Sequence, residues 1–188
     1  MSFSKRNSRW ANAAIVAQLD VDEMDYGTGP DELAGVRWQE EMEARAAFMG
    51  GGELVVPVQT MTDFLDGKLS RTESLPRSSY RLGVRAARLD LLYPNVITES
   101  IRSAIENIDS ALPGLLCSEG LLHGVETRTS SPVRIERDAE SFMSPSHECL
   151  FPCGEGAGYA GGIISAAVDG VACGSAVLAY LRANREGN

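Results

Sequence analysis

Apolar side chains recur at three- and four-residue steps in two stretches of the chain, and each predicts an amphipathic helix. From Asp31 to Met49 the apolar positions are Leu33, Val36, Trp38, Met42, Ala46 and Phe48, with charges between them. Asp31 is placed to cap the start and Gly50-Gly51-Gly52 to stop the end. From Tyr93 to Leu112 the stripe is Ile97, Ile101, Ile105, Ile108 and Leu112. A brief helix is expected over Thr60 to Leu65, and an alanine-rich one over Gly162 to Ala183.

The extended pieces are shorter. Ala13 to Leu19 is partly β-branched and reads as a strand, with an acidic connection from Asp20 to Pro30 after it. Leu54 to Gln59 is extended, and its Pro57 places it at a sheet edge. Gly120 to Thr129 reads as a strand running into a loop, Pro132 to Glu136 as another strand, and Leu150-Phe151 as the beginning of a last one. Between them, Gly67 to Arg81 is polar and serine-rich, a surface loop and the best place for internal mobility. Three or four strands interleaved with three helices give an α/β or α+β pattern, with too few βαβ units for a complete doubly wound sheet.

Composition narrows the classes. A chain of 188 residues with 44% apolar and 23% charged residues is one ordinary globular domain or two small ones. A net charge of −9 argues against binding nucleic acid or acidic membrane, both of which need a basic surface. No run approaches about 18 uninterrupted apolar residues, so no membrane span is expected, and the basic start Met1 to Trp10 has no apolar core of a secretory signal. Four cysteines without C-x-x-C and two scattered histidines give no metal site. Free thiols in a reducing compartment follow. Cys149 and Cys153 have three residues between them; a redox-active pair is conceivable, but Cys153 reads better as a small packing residue. His123, on an apolar run, reads as a buried, hydrogen-bonded histidine and not as a general base.

The chemistry concentrates in Leu150-Phe-Pro-Cys-Gly-Glu-Gly-Ala-Gly-Tyr-Ala-Gly-Gly-Ile-Ile164, read as strand, glycine loop and helix. Gly154, Gly156, Gly158, Gly161 and Gly162 let backbone N–H groups approach a ligand, with a helix N-terminus behind them. The spacing is not the G-x-G-x-x-G of a first dinucleotide fingerprint, and no G-x-x-x-x-G-K-[ST] is present. Glu155, at the expected strand end, can accept hydrogen bonds from sugar or ribityl hydroxyls, and the N–H groups at Gly161, Gly162 and Ile163 can face the electron-rich edge of a reduced flavin.

Gly124-Val-Glu-Thr-Arg-Thr-Ser-Ser-Pro-Val-Arg134 together with Pro152 to Gly170 resembles the C-terminal part of bacterial and plastid FAD-dependent dehydrogenases of uncharacterised substrate. The resemblance extends to Trp10-Ala-Asn12, Pro57-Val58-Gln59, Asp63-Phe64-Leu65 and Ser79 to Val84. It implies a two-domain flavoprotein of Rossmann type with a discontinuous FAD-binding domain. Residues 1–114 would belong mainly to the inserted substrate or cap domain, and residues 115–188 to the C-terminal segment of the FAD-binding domain. It places Gly154, Glu155, Gly156, Gly158, Tyr159, Ala160, Gly161, Gly162 and Ile163 around FAD, and Thr127, Arg128, Ser130 and Ser131 in a loop close to the flavin ring. Arg128 reads equally well as a surface arginine paired with Glu126 or another carboxylate. The βαβ unit that would grip the ADP half is missing from this chain, so an N-terminal FAD-binding portion is expected as partner. The implied function is hydride or electron transfer through the flavin, with NAD(P)H as a candidate electron donor, in a plastid or in bacterial-type cytoplasm. The rival is a non-catalytic remnant or interaction module that keeps the fold without a complete FAD site.

Overall fold

A computed structural model describes residues 7–20 and 31–186. The basic start and most of the acidic connection at 20–30 lie outside the described residues. The chain divides into two compact units, residues 1–20 with 40–127 and residues 21–39 with 128–188.

The first unit is α+β. Its sheet has three strands, β1 (Val56–Thr60), β2 (Val84–Ala86) and β3 (Leu121–His123), in the order β2-β1-β3. β1 pairs in parallel with β2, Val58 opposite Ala86, and antiparallel with β3, Gln59 opposite Leu122. The expectation that Pro57 confines its strand to an edge is overturned, because β1 is central. Proline lacks an N–H, but Pro57 stands beyond the Val58–Thr60 register with β3, and its carbonyl still accepts from Gly124 N–H at 3.0 Å. Toward β2 the adjacent residues bond instead: Val56 N–H donates to Gly83 O at 3.0 Å and Ala87 N–H to Val58 O at 2.9 Å.

Helix α1 (Ala34–Gly50) runs through both units, and α2 (Met61–Asp66) and α3 (Asn95–Ala111) belong to the first. Asp31 accepts from Leu33 N–H at 3.1 Å and pairs with Arg37, which holds its carboxyl below the usual range. α1 and α2 end alike. Gly52 N–H donates to Ala47 O and Gly51 N–H to Phe48 O, both at 3.0 Å. Lys68 N–H donates to Asp63 O at 2.8 Å and Gly67 N–H to Phe64 O at 3.3 Å. This paired 6→1 and 5→2 closure requires a left-handed residue, supplied by Gly51 (φ 89°) and Gly67 (φ 64°).

The core gathers Ala46, Phe64, Leu89, Leu92 and Ile105, with Ile15 packed against it. Ala13 to Leu19 therefore serves the core without forming the expected strand: exposure alternates along it, but it joins no ladder among the described residues. β2 has no counterpart in the pattern-based reading. Beside the apolar core lies a buried polar knot. The Gln59 amide donates to Asp90 Oδ1 at 2.9 Å and Lys68 O at 2.7 Å, and Asp90 N–H donates back to Gln59 Oε1 at 3.1 Å. Arg88 donates to both Asp90 oxygens, at 2.7 and 2.5 Å, and Thr98 donates to the Asp90 carbonyl. The loop 67–81 also sends Ser70 inward, where its buried hydroxyl accepts from Thr60 N–H at 2.9 Å.

The second unit contains α4 (Ile163–Glu186), the start of α1 and irregular chain. Neither Pro132 to Glu136 nor Leu150-Phe151 is a strand. Their backbone groups are taken by other partners: Ile135 N–H by Ala157 O, Ile135 O by the Tyr159 hydroxyl, Leu150 O by Ser144 N–H, and Pro152 O by Arg137. α4 is long and apolar enough to cross a membrane by length and composition alone, although Asp169 and several small polar residues interrupt its apolar run.

Two outcomes are expected. Ile105→Ala, at a fully buried α3 position, should lower unfolding free energy by about 2–5 kcal/mol, whereas Phe48→Ala, at an exposed one, should stay within about 0.5 kcal/mol in urea titrations. Burial raises the Asp90 carboxyl, but its bonds with Arg88 and Gln59 outweigh that and leave it lowered in the fold. A lowered carboxylate stabilises above its unfolded pKa of about 3.9, and that contribution disappears as pH falls through the folded value. The urea midpoint should hold between about pH 5 and 7 and drop below about pH 4, with a shallower drop in Asp90→Asn.

Candidate functional site

The glycine loop is built around one guanidinium. Arg137 donates to Asp169 Oδ1 at 2.6 Å and Oδ2 at 3.0 Å, a two-pronged contact between largely buried side chains, and its second prong also reaches Pro152 O at 2.9 Å. Tyr159 and Phe142 flank it, 3.6 and 4.1 Å from guanidinium to ring centre. The pairing holds the Asp169 carboxyl below its usual range and Arg137 above its own. Asp169, from α4, also accepts from Gly154 N–H at 2.7 Å, so the loop's first glycine is tied directly to the helix behind it.

Inside the loop, Gly158 N–H donates to Glu155 O at 2.9 Å and Tyr159 N–H to Gly154 O at 3.0 Å. The five glycines then divide by what surrounds them. Gly158 has φ 82°, and a Cβ there would lie 2.5 Å from Val133 O and 2.9 Å from Arg134 Cα. Its glycine is required by packing. At Gly154, Gly156 and Gly161 a Cβ would meet nothing within 4 Å, and at Gly162 only Ser165 Oγ at 3.7 Å. Those four leave backbone open on one side, as close approach of a ligand requires. Gly162 O accepts from Ala166 N–H at 2.9 Å, so Gly161-Gly162 opens α4 as expected, and Ile163 beside it is 89% exposed.

The remaining expected residues fall as follows. Glu155 is exposed, on a loop and not at a strand end. Tyr159 is half-buried; its ring stacks with Arg134 and Arg137 and its hydroxyl donates to Ile135 O at 3.0 Å, so it is a structural member of the loop. Ala160 is half-buried beside it. Ser131 brings the polar loop to the glycine loop, its hydroxyl lying 2.9 Å from Val133 O and 3.3 Å from Gly156 O. Ser130 and Arg128 are exposed, and among the described residues Arg128 is in no ion pair, Glu126 included. Thr127 belongs to the first unit, where its hydroxyl donates to Glu43 at 2.6 Å. His123 is half-buried and bonded at both nitrogens, to Ser78 Oγ at 2.7 Å and Leu121 O at 3.1 Å, and burial lowers its pKa. Arg137 and Asp169 were absent from the expected site. Each looks like an ordinary solvated charge in the sequence, and only the 32-residue separation closing in space reveals the pair.

Open glycine backbone, an exposed helix start and an exposed carboxylate lie together in one unit. No group of His, Cys, Asp and Glu side chains among the described residues is arranged to hold a metal.

Comparison with known proteins bears on the same point. The family model described as "FAD-dependent protein, C-terminal domain-like" matches residues 1–129 and stops before the glycine loop. An uncharacterized protein of Clostridium beijerinckii is 37% identical over 171 residues, covering 91% of this chain. The chain spans 31% of that relative's length. This chain therefore belongs to the FAD-dependent protein, C-terminal domain-like family.

Proposed function

We propose that this chain supplies the glycine-loop part of an FAD site in a flavin-dependent oxidoreductase. The observation that carries the reading is the vacancy beside Gly154, Gly156, Gly161 and Gly162 at the start of α4, in a chain of an FAD-dependent family. When bound, FAD supplies hydride or electron transfer.

The chain's own residues bind and orient. Glu155 accepts hydrogen bonds from ribityl hydroxyls, and the N–H groups from Gly161 to Ile163 donate toward the electron-rich edge of the ring, where the positive end of α4 favours added negative charge. Arg128, Ser130 and Ser131 supply polar cover. Arg137 and Asp169 touch no ligand in this scheme; they hold the loop against the helix so that its amides are fixed before binding.

α4 also bears on what completes the site. Ile164, Val168, Val171 and Leu178 are all exposed, Val171 by 73%. Such a surface suits polypeptide packing over it. The site is thus shared between these residues and further chain that grips the ADP half.

Two measurements test the reading. Within the full-length protein the chain should carry a bound-flavin absorbance band, and Gly162→Asp there should weaken FAD binding about tenfold or more without lowering the melting temperature of the flavin-free protein, since aspartate is a good residue at a helix start. A full-length protein that folds but stays colourless with FAD would leave the remnant reading. Gly158→Ala should instead lose about 1–3 kcal/mol of stability, seen as an earlier thermal transition with or without flavin, because its Cβ meets Val133 O.

A further inference from the structure

The flavin scheme leaves the cysteines unused, and two of them meet beside the glycine loop. The Cys173 thiol, on α4, reaches Phe151 O at 3.8 Å, and Gly154 N–H donates to Asp169 Oδ2 at 2.7 Å. Asp169 and Cys173 are one turn apart on the same face of α4. Residues 151 and 154 are therefore both pinned to that face, which sets Cys153, between them, beside Cys173. Cys149, which the spacing along the chain offers as the partner, is engaged elsewhere: its sulfur lies 3.1 Å from the Tyr180 hydroxyl.

The two thiols are unequal. Cys153 is exposed and Cys173 is buried, at 4%. Burial, and then the neighbouring Cys153 sulfur, push the Cys173 thiol up, with Arg137 opposing and Asp169 adding to the rise. In thiol–disulfide exchange an accessible thiol attacks first, and a neighbouring thiol within reach of the mixed disulfide resolves it.

We propose that Cys153 and Cys173 form a thiol–disulfide exchange site whose co-substrate is a low-molecular-weight disulfide. The Cys153 thiolate attacks one sulfur of the small disulfide, breaking its S–S bond and releasing one thiolate, which takes up the proton Cys153 gave up. Cys173, deprotonating, then attacks the Cys153 sulfur of the mixed disulfide and displaces the second small thiolate, which is protonated in turn. The chain loses two electrons and two protons, and the small disulfide is reduced to two thiols. The new bond adds a covalent tie between the residue preceding Gly154 and α4, alongside the Gly154–Asp169 hydrogen bond.

The test uses the native chain with glutathione disulfide, followed by alkylation of remaining thiols, digestion and peptide mapping. The expected product is a Cys153–Cys173 cross-link with two equivalents of glutathione released, while Cys117 and Cys149 are recovered alkylated. Cys173→Ser, which keeps a hydroxyl facing Phe151 O, should stop at glutathione attached to Cys153. The wild-type map decides independently of whether that variant folds. A wild-type chain that stops at the mixed disulfide, links Cys149 to Cys153, or leaves Cys153 unmodified overturns the proposal. Flavin takes no part, so this result and the fate of the FAD reading are separate.

Discussion

A charge removed from water must be matched where it stands, and each unit of this chain is arranged around one such charge. In the first it is Asp90, in the second the Arg137–Asp169 pair. A buried carboxylate left alone would take up a proton or pull in water. Here the alternative is to bring guanidinium and amide donors from distant segments to it, and those donors fix where their own backbones go. Gln59 thereby registers the central strand against the turn that leads into α3, and Arg137 registers the 132–142 segment against both the glycine loop and α4.

The two cases differ in what surrounds the charge. Asp90 sits next to a core of aliphatic and aromatic side chains, where burial of apolar area supplies most of the stability and the polar knot supplies position. Around Arg137 few large aliphatic side chains are buried, and two aromatic rings and carbonyl oxygens stand in for them. Order in the second unit depends correspondingly more on directional bonds.

Helices were legible in the sequence because period and punctuation agree there: Ile97, Ile101 and Ile105 mark one face, and Gly50-Gly51-Gly52 marks an end that the backbone confirms. Strands were not. Ala13 to Leu19, Pro132 to Glu136 and Leu150-Phe151 have the composition of strands, but a ladder needs a partner at the right register, and their hydrogen bonds or side chains are used elsewhere. Pro57 misled in the opposite sense, since a proline is barred from a central strand only where its missing N–H would have been used. For the site, the glycine cluster and the helix start were visible as local pattern. The pair that braces them was not, because nothing in the residues around Arg137 or Asp169 marks them as partners.

The unequal surroundings of the five glycines carry a consequence for how variation at this loop is read. Only at Gly158 would a Cβ strike the chain's own backbone, so its invariance in any set of related chains would report the fold alone. Gly154 has a positive φ but free space, and Gly156, Gly161 and Gly162 have neither obstacle to a side chain within the unit beyond a single serine oxygen. If those three stay glycine across lineages, the pressure comes from outside the chain. Drift to alanine at all three while Gly158 persists would be the mark of a lineage that has kept the scaffold and given up its ligand.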